Sequence, residues 1–392
     1  MKKVGIVSCY FQPNYGSMLQ AYATQKILDI LEIPNETICI DGFSDEIKKS
    51  KMQYFKSRIF SFDVIKDKLG YVKLTIHKKL NKDFARNVGI RNNKFKEFSC
   101  KTFNISKKFN SKFELGENSD SYSAFLVGSD QLWLPSNIAA DYYTLNFVKD
   151  GIRKIAYATS FGVSSLPDEQ EKKAKDFIPK IDYLSVREKS GQKLIKNITG
   201  LDAQVVCDPT LLLTADQWME IQKKERFIDE DYIFCYFLGN NKFSRECADK
   251  LRKKTGLKIV ALQHLDAYIK DDNTFADIAP YDVDPADFVN LIRNASYVCT
   301  DSFHGTVFSI INHKQFFSFR RFVENTTMST NSRLDSILEA VNQKNRIITT
   351  DKEFNTAIST EIDFSEVDEK LNVFRESSMQ FLENALNGLE NL

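Results

Sequence analysis

Short apolar runs recur along the chain, and each stops at a cluster of small or polar residues. Lys3 to Cys9 is followed by Phe11-Gln12-Pro13-Asn14-Tyr15-Gly16-Ser17. Ser123 to Val127 stops at Gly128-Ser129-Asp130, and Tyr183 to Val186 stops at Arg187-Glu188. Thr37 to Ile40, Lys154 to Thr159, Gln204 to Cys207, Tyr232 to Leu238, Lys258 to Leu262, Tyr297 to Thr300 and Gln315 to Phe319 read the same way. Runs this short and this apolar suit parallel strands covered on both faces. Between them lie stretches with apolar residues at helical spacing, such as Leu19, Tyr22, Ala23, Ile27, Leu28 and Leu31. The alternation predicts an α/β chain built from βαβ crossovers. A length of 392 residues accommodates two doubly wound, Rossmann-like domains facing across a cleft. The expected division is an N-terminal α/β domain over 1–200, a C-terminal α/β domain over 201–350 and a helical tail over 351–392.

Net charge conceals an asymmetry. The chain carries 54 Lys and Arg against 53 Asp and Glu. Residues 45–112 hold 19 of the basic residues and only 6 acids, a local net charge of +13. Apolar residues recur there at helical intervals (Phe55, Ile59, Phe62, Ile65, Leu69), so the segment is expected to be a basic helical insertion in the N-terminal domain. Two readings stand: a solvated basic face, or a surface that meets an anionic partner such as a phospholipid headgroup or a diphosphate-linked acceptor. The balanced total argues against a surface built throughout for nucleic acid.

Seven cysteines (9, 39, 100, 207, 235, 247, 299) are scattered with no CxxC, which fits free thiols better than a disulfide framework or a zinc site. Four histidines show neither HExxH nor HxH, so no metal and no resident cofactor are expected. Met1-Lys2-Lys3 leads into a strand and not a long apolar segment. The expected localisation is the cytoplasm, with contact at the inner membrane face if the partner is lipid-linked.

Five loops at strand ends could carry chemistry. In Asp301-Ser302-Phe303-His304-Gly305-Thr306 an apolar strand gives way to a helix capped by Asp301 or Ser302, with His304 in the first turn beside backbone N–H groups that welcome an anion. Arg187 either grips a carboxylate or phosphate in bidentate fashion or pairs with a neighbouring acid. Asn14, Gly16 and Ser17 form a polar turn that either caps a helix or holds an anion or sugar hydroxyl. Asp130, Gln131 and Trp133 suit sugar recognition, with Trp133 read either as a stacking platform or as core. Asp208-Pro209 closes a further strand. Neither GxGxxG nor GxxxxGK[ST] is present, which removes the main support for dinucleotide and P-loop readings.

Taken in order, these motifs resemble the polysaccharide pyruvyltransferase family. The resemblance rests on Asn14-Tyr15-Gly16-Ser17 with Leu19-Gln20-Ala21-Tyr22, Gly128-Ser129-Asp130-Gln131-Leu132-Trp133, Ser185-Val186-Arg187-Glu188, Cys207-Asp208-Pro209-Thr210 and Asp301-Ser302-Phe303-His304-Gly305, and spans about residues 4 to 340. It implies a glycosyltransferase-B-like architecture. It also implies transfer from the co-substrate phosphoenolpyruvate onto two hydroxyls of a sugar, giving a cyclic pyruvate ketal in cell-surface polysaccharide synthesis. His304 matches the family's catalytic His, and Arg187 matches a donor-binding Arg. Many members have Arg-Leu-His where this chain has Ser302-Phe303-His304, and Arg320 or Arg321 would then supply the missing charge.

The chemistry assigns His304 as acid/base and Asp130 as a second catalytic group, either a base or a contact to the acceptor hydroxyl. Arg187, Ser302, Gly305, Thr306, Arg320 and Arg321 would hold the donor. Asn14, Tyr15, Ser17, Gln131, Trp133 and Asp208 would hold the acceptor. That acceptor is a saccharide: a free polysaccharide, a nucleotide sugar or a lipid-linked oligosaccharide, the basic segment making an undecaprenyl-diphosphate-linked galactoside attractive. A nucleotide-sugar glycosyltransferase and a non-catalytic saccharide-binding protein are the rivals.

Overall fold

In the computed structural model, residues 2–57, 73–264, 267–321 and 331–389 are described. Two all-parallel sheets carry the fold. The first has six strands in the order β2-β1-β3-β4-β5-β6: β1 (Lys3–Val7), β2 (Asn35–Thr37), β3 (Tyr122–Val127), β4 (Arg153–Thr159), β5 (Tyr183–Val186) and β6 (Gln204–Val205). The second has five in the order β11-β10-β9-β7-β8: β7 (Tyr232–Tyr236), β8 (Lys258–Ala261), β9 (Tyr297–Thr300), β10 (Gln315–Phe319) and β11 (Ile347–Ile348). Both sheets start in their middle, add the next strand on one side and the rest on the other. Each therefore has a switch point, between β1 and β3 and between β7 and β9, where loops diverge and leave a crevice.

The strands sit where the apolar runs are because both faces are covered. All six residues of β3 and all five of β7 are buried. Helix α1 (Tyr15–Ile30) is buried along most of its length because it lies between the two sheet units. Its Tyr15 stacks on Phe288 at 4.7 Å and meets the edge of Tyr236 at 5.8 Å. Sequence spacing places the second strand at Thr37 to Ile40, whereas β2 occupies Asn35–Thr37; a two-residue strand, β11, lies at Ile347–Ile348.

The basic insertion folds as helices over α2 (Ser44–Lys56), residues 73–80 and α3 (Lys82–Thr102). Ile59, Phe62, Ile65 and Leu69 lie outside the described residues. Part of the basic charge is structural. Arg91 of α3 is buried and donates to three backbone carbonyls of the second unit: Tyr281 O at 3.0 Å, Gln263 O at 2.7 Å and Pro280 O at 2.9 Å. The last long helix (Phe364–Leu386) packs back onto the first unit. Ser378 Oγ accepts from the Cys207 amide at 2.9 Å, and Arg153 donates to Ala385 O at 3.1 Å. No helix among the described residues is long and apolar enough to cross a membrane.

Candidate active site

Four further helices follow in the chain: α4 (Lys189–Thr199), α5 (Pro285–Asn294), α6 (Phe303–Ile311) and α7 (Asn331–Ala340). At the carboxyl ends of both sheets a cavity of about 220 Å³ opens between the units. From the first unit come Asn14, Ser17, Lys51, Asp130 and Gln131; from the second come Ser302, His304, Arg321 and Arg333. A larger cavity of about 570 Å³, lined by Arg293, His313 and Lys314 among others, lies where β9 and β10 begin. It is at the wrong end of the strands for the motifs described above.

On the first unit, Asn14 caps α1 by accepting from the Ser17 amide at 3.1 Å, which presents the Ser17 hydroxyl to the next loop. That hydroxyl donates a short hydrogen bond to Asp130 Oδ2. Asp130 sits at φ +82°, a left-handed conformation rare outside glycine and costly for an ordinary residue. The conformation is held by the Leu132 and Ser160 amides, which donate to Asp130 O at 2.7 and 3.0 Å. Burial opposes ionisation of Asp130, but Arg187 and His304 beside it, with the Ser17 hydrogen bond, hold it below the usual carboxylate range.

On the second unit, β9 ends in Thr300 and Asp301. The Asp301 carboxylate accepts from the amides of Leu238 and Gly239 at 2.6 and 2.9 Å, tying the β7 loop to the β9 loop. Ser302 caps α6 by accepting from the Gly305 amide at 3.3 Å. His304 follows in the first turn. A Cβ on Gly16 would lie 2.0 Å from His304 Nδ1, so the glycine lets the head of α1 and the imidazole meet. His304 Nε2 stands 3.7 Å from Asp208 Oδ2, too far for a hydrogen bond, and has no hydrogen-bond partner among the described residues.

Behind the cavity wall lies a buried ion network. Asp208 Oδ2 accepts from Arg187 Nη1 and from Ser129 Oγ, both at 2.7 Å, while Oδ1 accepts from Thr210 Oγ1 at 2.6 Å. Burial would raise the Asp208 pKa; His304 and Arg187 outweigh it and hold the carboxyl well below its usual range. The Arg187 guanidinium lies over the Phe303 ring at 4.4 Å, with Asp130 Oδ1 at 3.7 Å from Nη2. Glu188 accepts from Ser160 Oγ at 2.8 Å, and burial pushes its carboxyl up.

Several expectations are corrected by these positions. Trp133 is core, not a stacking platform: it is fully buried between Phe161 and Phe177, with its indole N–H donating to Tyr143 O at 3.0 Å. Tyr15 donates to Val283 O at 3.1 Å and holds the units together, out of reach of an acceptor. Asp208 faces Arg187 and not the cavity. Thr306 turns into the second sheet, 2.8 Å from Ser318 Oγ. Gly305 serves packing, since a Cβ there would lie 2.4 Å from Thr300 Oγ1 and its amide is already capped. Arg320 forms a two-pronged ion pair with Asp335 at 3.0 and 2.9 Å and does not line the cavity. Arg187 lies behind the wall, held by carboxylates.

The arginine adjacent to Arg320 reaches the cavity. Arg321 packs its stem against Gly239, where a Cβ would lie 2.9 Å away, and its Nε is 4.0 Å from Asp301. Two further cations were not singled out from the sequence. Lys51 of α2 reaches in from the basic insertion, and burial pushes its pKa down. Arg333, buried in the first turn of α7, is pushed down to about 9 by burial and by Arg187. Nothing distinguishes Lys51 within a run of lysines. Arg333 follows no strand, so a search of strand ends passes over it. Cys9 also lines the cavity, but burial pushes its thiol up to about 12, far from a thiolate nucleophile.

What the geometry defines is a two-sided cavity: hydroxyl and carboxylate groups face cations across an imidazole. The polysaccharide pyruvyl transferase family model matches residues 14–321, and the chain belongs to that family. No curated protein sequence matches it significantly. Among solved structures, UDP-N-acetylglucosamine 2-epimerase from Rickettsia bellii is similar at 12% identity and a TM-score of 0.52, covering 100% of this chain and 98% of that one. The UDP-GlcNAc 2-epimerase from Methanocaldococcus jannaschii is similar at 12% identity and 0.50, covering 93% of each chain. A putative UDP-N-acetylglucosamine 2-epimerase from Listeria monocytogenes gives 11% and 0.50, covering 100% of this chain and 98% of that one. At such identities the likeness is one of fold: two parallel α/β units in the glycosyltransferase-B arrangement.

Proposed function

We infer that the chain moves the enolpyruvyl skeleton of phosphoenolpyruvate onto two hydroxyls of one sugar, releasing phosphate and leaving a cyclic pyruvate ketal. One observation carries this reading beyond the family. His304 stands at the meeting of a hydroxyl-binding half (Asn14, Ser17, Asp130, Gln131) and a cationic half (Arg321, Arg333, Lys51) of a single cavity. Phosphoenolpyruvate carries a phosphate and a carboxylate. Crowded, partly desolvated cations are costly on their own, and an anion among them offsets that cost.

The steps follow from position. Protonated His304 gives its proton to the methylene carbon of the donor, which makes C2 electrophilic. The first sugar hydroxyl forms a C–O bond to C2 while Asp130 accepts its proton. Phosphate leaves with the bonding pair of its C–O bond, and the second hydroxyl adds to the same carbon. Asp130 passes the first hydroxyl's proton to the departing phosphate, and the second hydroxyl's proton restores His304. Ser17 holds Asp130 in place through its short hydrogen bond, and Arg187 and Asp208 hold the wall on which both Asp130 and His304 rest.

The test is phosphate release from phosphoenolpyruvate with a panel of galactosides, with the ketal methyl followed by proton NMR. Acceptor-dependent release with a new ketal methyl signal is expected. Release without acceptor, or none with any saccharide, would overturn the reading.

A further inference from the structure

The basic insertion shows its charge and its apolar side chains on the same outward faces. Among the described residues nine large apolar side chains are exposed, and five of these fall between residues 52 and 113: Met52 at 53%, Phe55 at 40%, Ile76 at 52%, Leu80 at 80% and Phe113 at 78%. That is a concentration, not the scatter of single apolar residues normal on a surface. In α2, Lys48, Met52, Phe55 and Lys56 recur at three- and four-residue intervals and share one exposed face with Lys49. In the helical residues 73–80, Lys73, Ile76, Lys79 and Leu80 do the same, while Leu74 on the other side is buried. Phe113 is held beside α2 because Lys112 pairs with Glu46 at 3.4 Å. Lys48 pairs with Asp45 at 3.2 Å; among the described residues no carboxylate pairs with Lys49, Lys56, Lys73 or Lys79.

We propose that the outward faces of α2 and of residues 73–80, with Phe113, form a peripheral docking surface for an anionic lipid bilayer. Lysines supply the charge, and a lysine is a point charge that suits a diffuse layer of headgroups. Protruding Met, Phe, Ile and Leu side chains suit the boundary between headgroups and acyl chains. A nucleic-acid phosphate backbone offers nothing to Ile76 or Leu80. The inner face of α2 adds a consequence that rests on the transferase reading. Ile47 is buried there, and Lys51 lines the catalytic cavity. A single helix thus separates the cavity from the docking face, and a docked enzyme holds its cavity mouth near the headgroup plane, within reach of saccharides carried by lipid.

The experiment is co-sedimentation of the full chain with phosphatidylglycerol vesicles and with phosphatidylcholine vesicles, at low and high salt. Binding to the anionic vesicles that salt weakens is expected. K48S/K49S/K56S together should weaken partitioning on the order of 100-fold, since each lysine near the surface contributes several-fold. Met52→Ser with Phe55→Ser, Ile76→Ser and Leu80→Ser should also release the protein, with unchanged circular dichroism. Charge reversal by Lys49→Glu, Lys73→Glu and Lys79→Glu provides a second route to the same loss. Equal binding to neutral vesicles, no binding at all, or binding that survives all three sets of variants would overturn the proposal, as would tighter binding to single-stranded RNA than to the vesicles. Phosphate release with a soluble saccharide is measured on each variant. Its retention separates failure of the docking surface from failure of the transferase reading.

Discussion

The two sheets have the same strand order up to their edges, yet their carboxyl ends present opposite chemistry. The first offers Asn14, Ser17, Asp130 and Gln131, which accept or share hydrogen bonds with hydroxyls, with Lys51 reaching in from α2 as its cation. The second offers His304 and Arg321 from strand ends and Arg333 from the helix that follows. Architecture alone does not distinguish them, because a switch point makes a crevice in either sheet. The difference lies in what the first residues after each strand must hold in place. Asp130, in its left-handed conformation, is fixed by backbone amides and points its carboxylate at Ser17. Asp301 is consumed by the β7 loop, which leaves the second mouth to its cations.

The comparison makes predictions of graded size. The largest effect belongs to the residue shared by both halves. His304→Ala should reduce acceptor-dependent phosphate release by about 10³-fold, with the melting temperature little changed; a loss below tenfold would place the acid elsewhere. Next is Asp208→Ala, which strands Arg187 in a buried wall. A loss of roughly 3–5 kcal/mol in denaturant unfolding is expected. The sign of its pH dependence is set. The folded-state pKa of Asp208 is depressed, so its stabilisation is fully present above the unfolded value of about 3.9. It is lost as pH falls below that value toward the depressed one. Wild type should therefore lose more stability than Asp208→Ala on acidification below that point; parallel acid curves would contradict this.

Gly16→Ala is smaller and more diagnostic. The added methyl group meets His304 Nδ1, so the imidazole must move while the head of α1 stays capped by Asn14. A drop in turnover of about 100-fold is expected, with the donor affinity largely kept. The smallest pair separates the two adjacent arginines. Arg320→Ala should leave donor affinity unchanged, because that side chain is committed to Asp335. Arg321→Ala should weaken it about tenfold. Equal effects would remove the assignment of the second sheet's cations to the donor.

Much of this arrangement was legible in the sequence, and the rest was hidden for identifiable reasons. Strands announce themselves by continuous burial, so β1, β3, β7 and β9 and the polar loops after them can be read directly. Those stretches, with the one after β10, hold seven of the cavity's polar residues: Asn14, Ser17, Asp130, Gln131, Ser302, His304 and Arg321. Direction is what sequence does not encode. Trp133, in a turn, and Thr306, in the first turn of α6, neighbour true lining residues yet point inward, because side chains one or two positions apart there face different ways. Arg187 and Asp208 each look like a ligand group alone; together they neutralise one another. Lys51 and Arg333 reach the cavity from helices whose packing decides the matter, and local pattern is silent about it.

The division of labour between the two sheets is tested most directly by titrating phosphoenolpyruvate into wild type, Arg321→Ala, Arg333→Ala and Ser17→Ala by calorimetry without acceptor. The account predicts binding to wild type, affinities about tenfold or more weaker for the two arginine variants, and an unchanged affinity for Ser17→Ala. No binding to wild type, or a loss confined to Ser17→Ala, would contradict it.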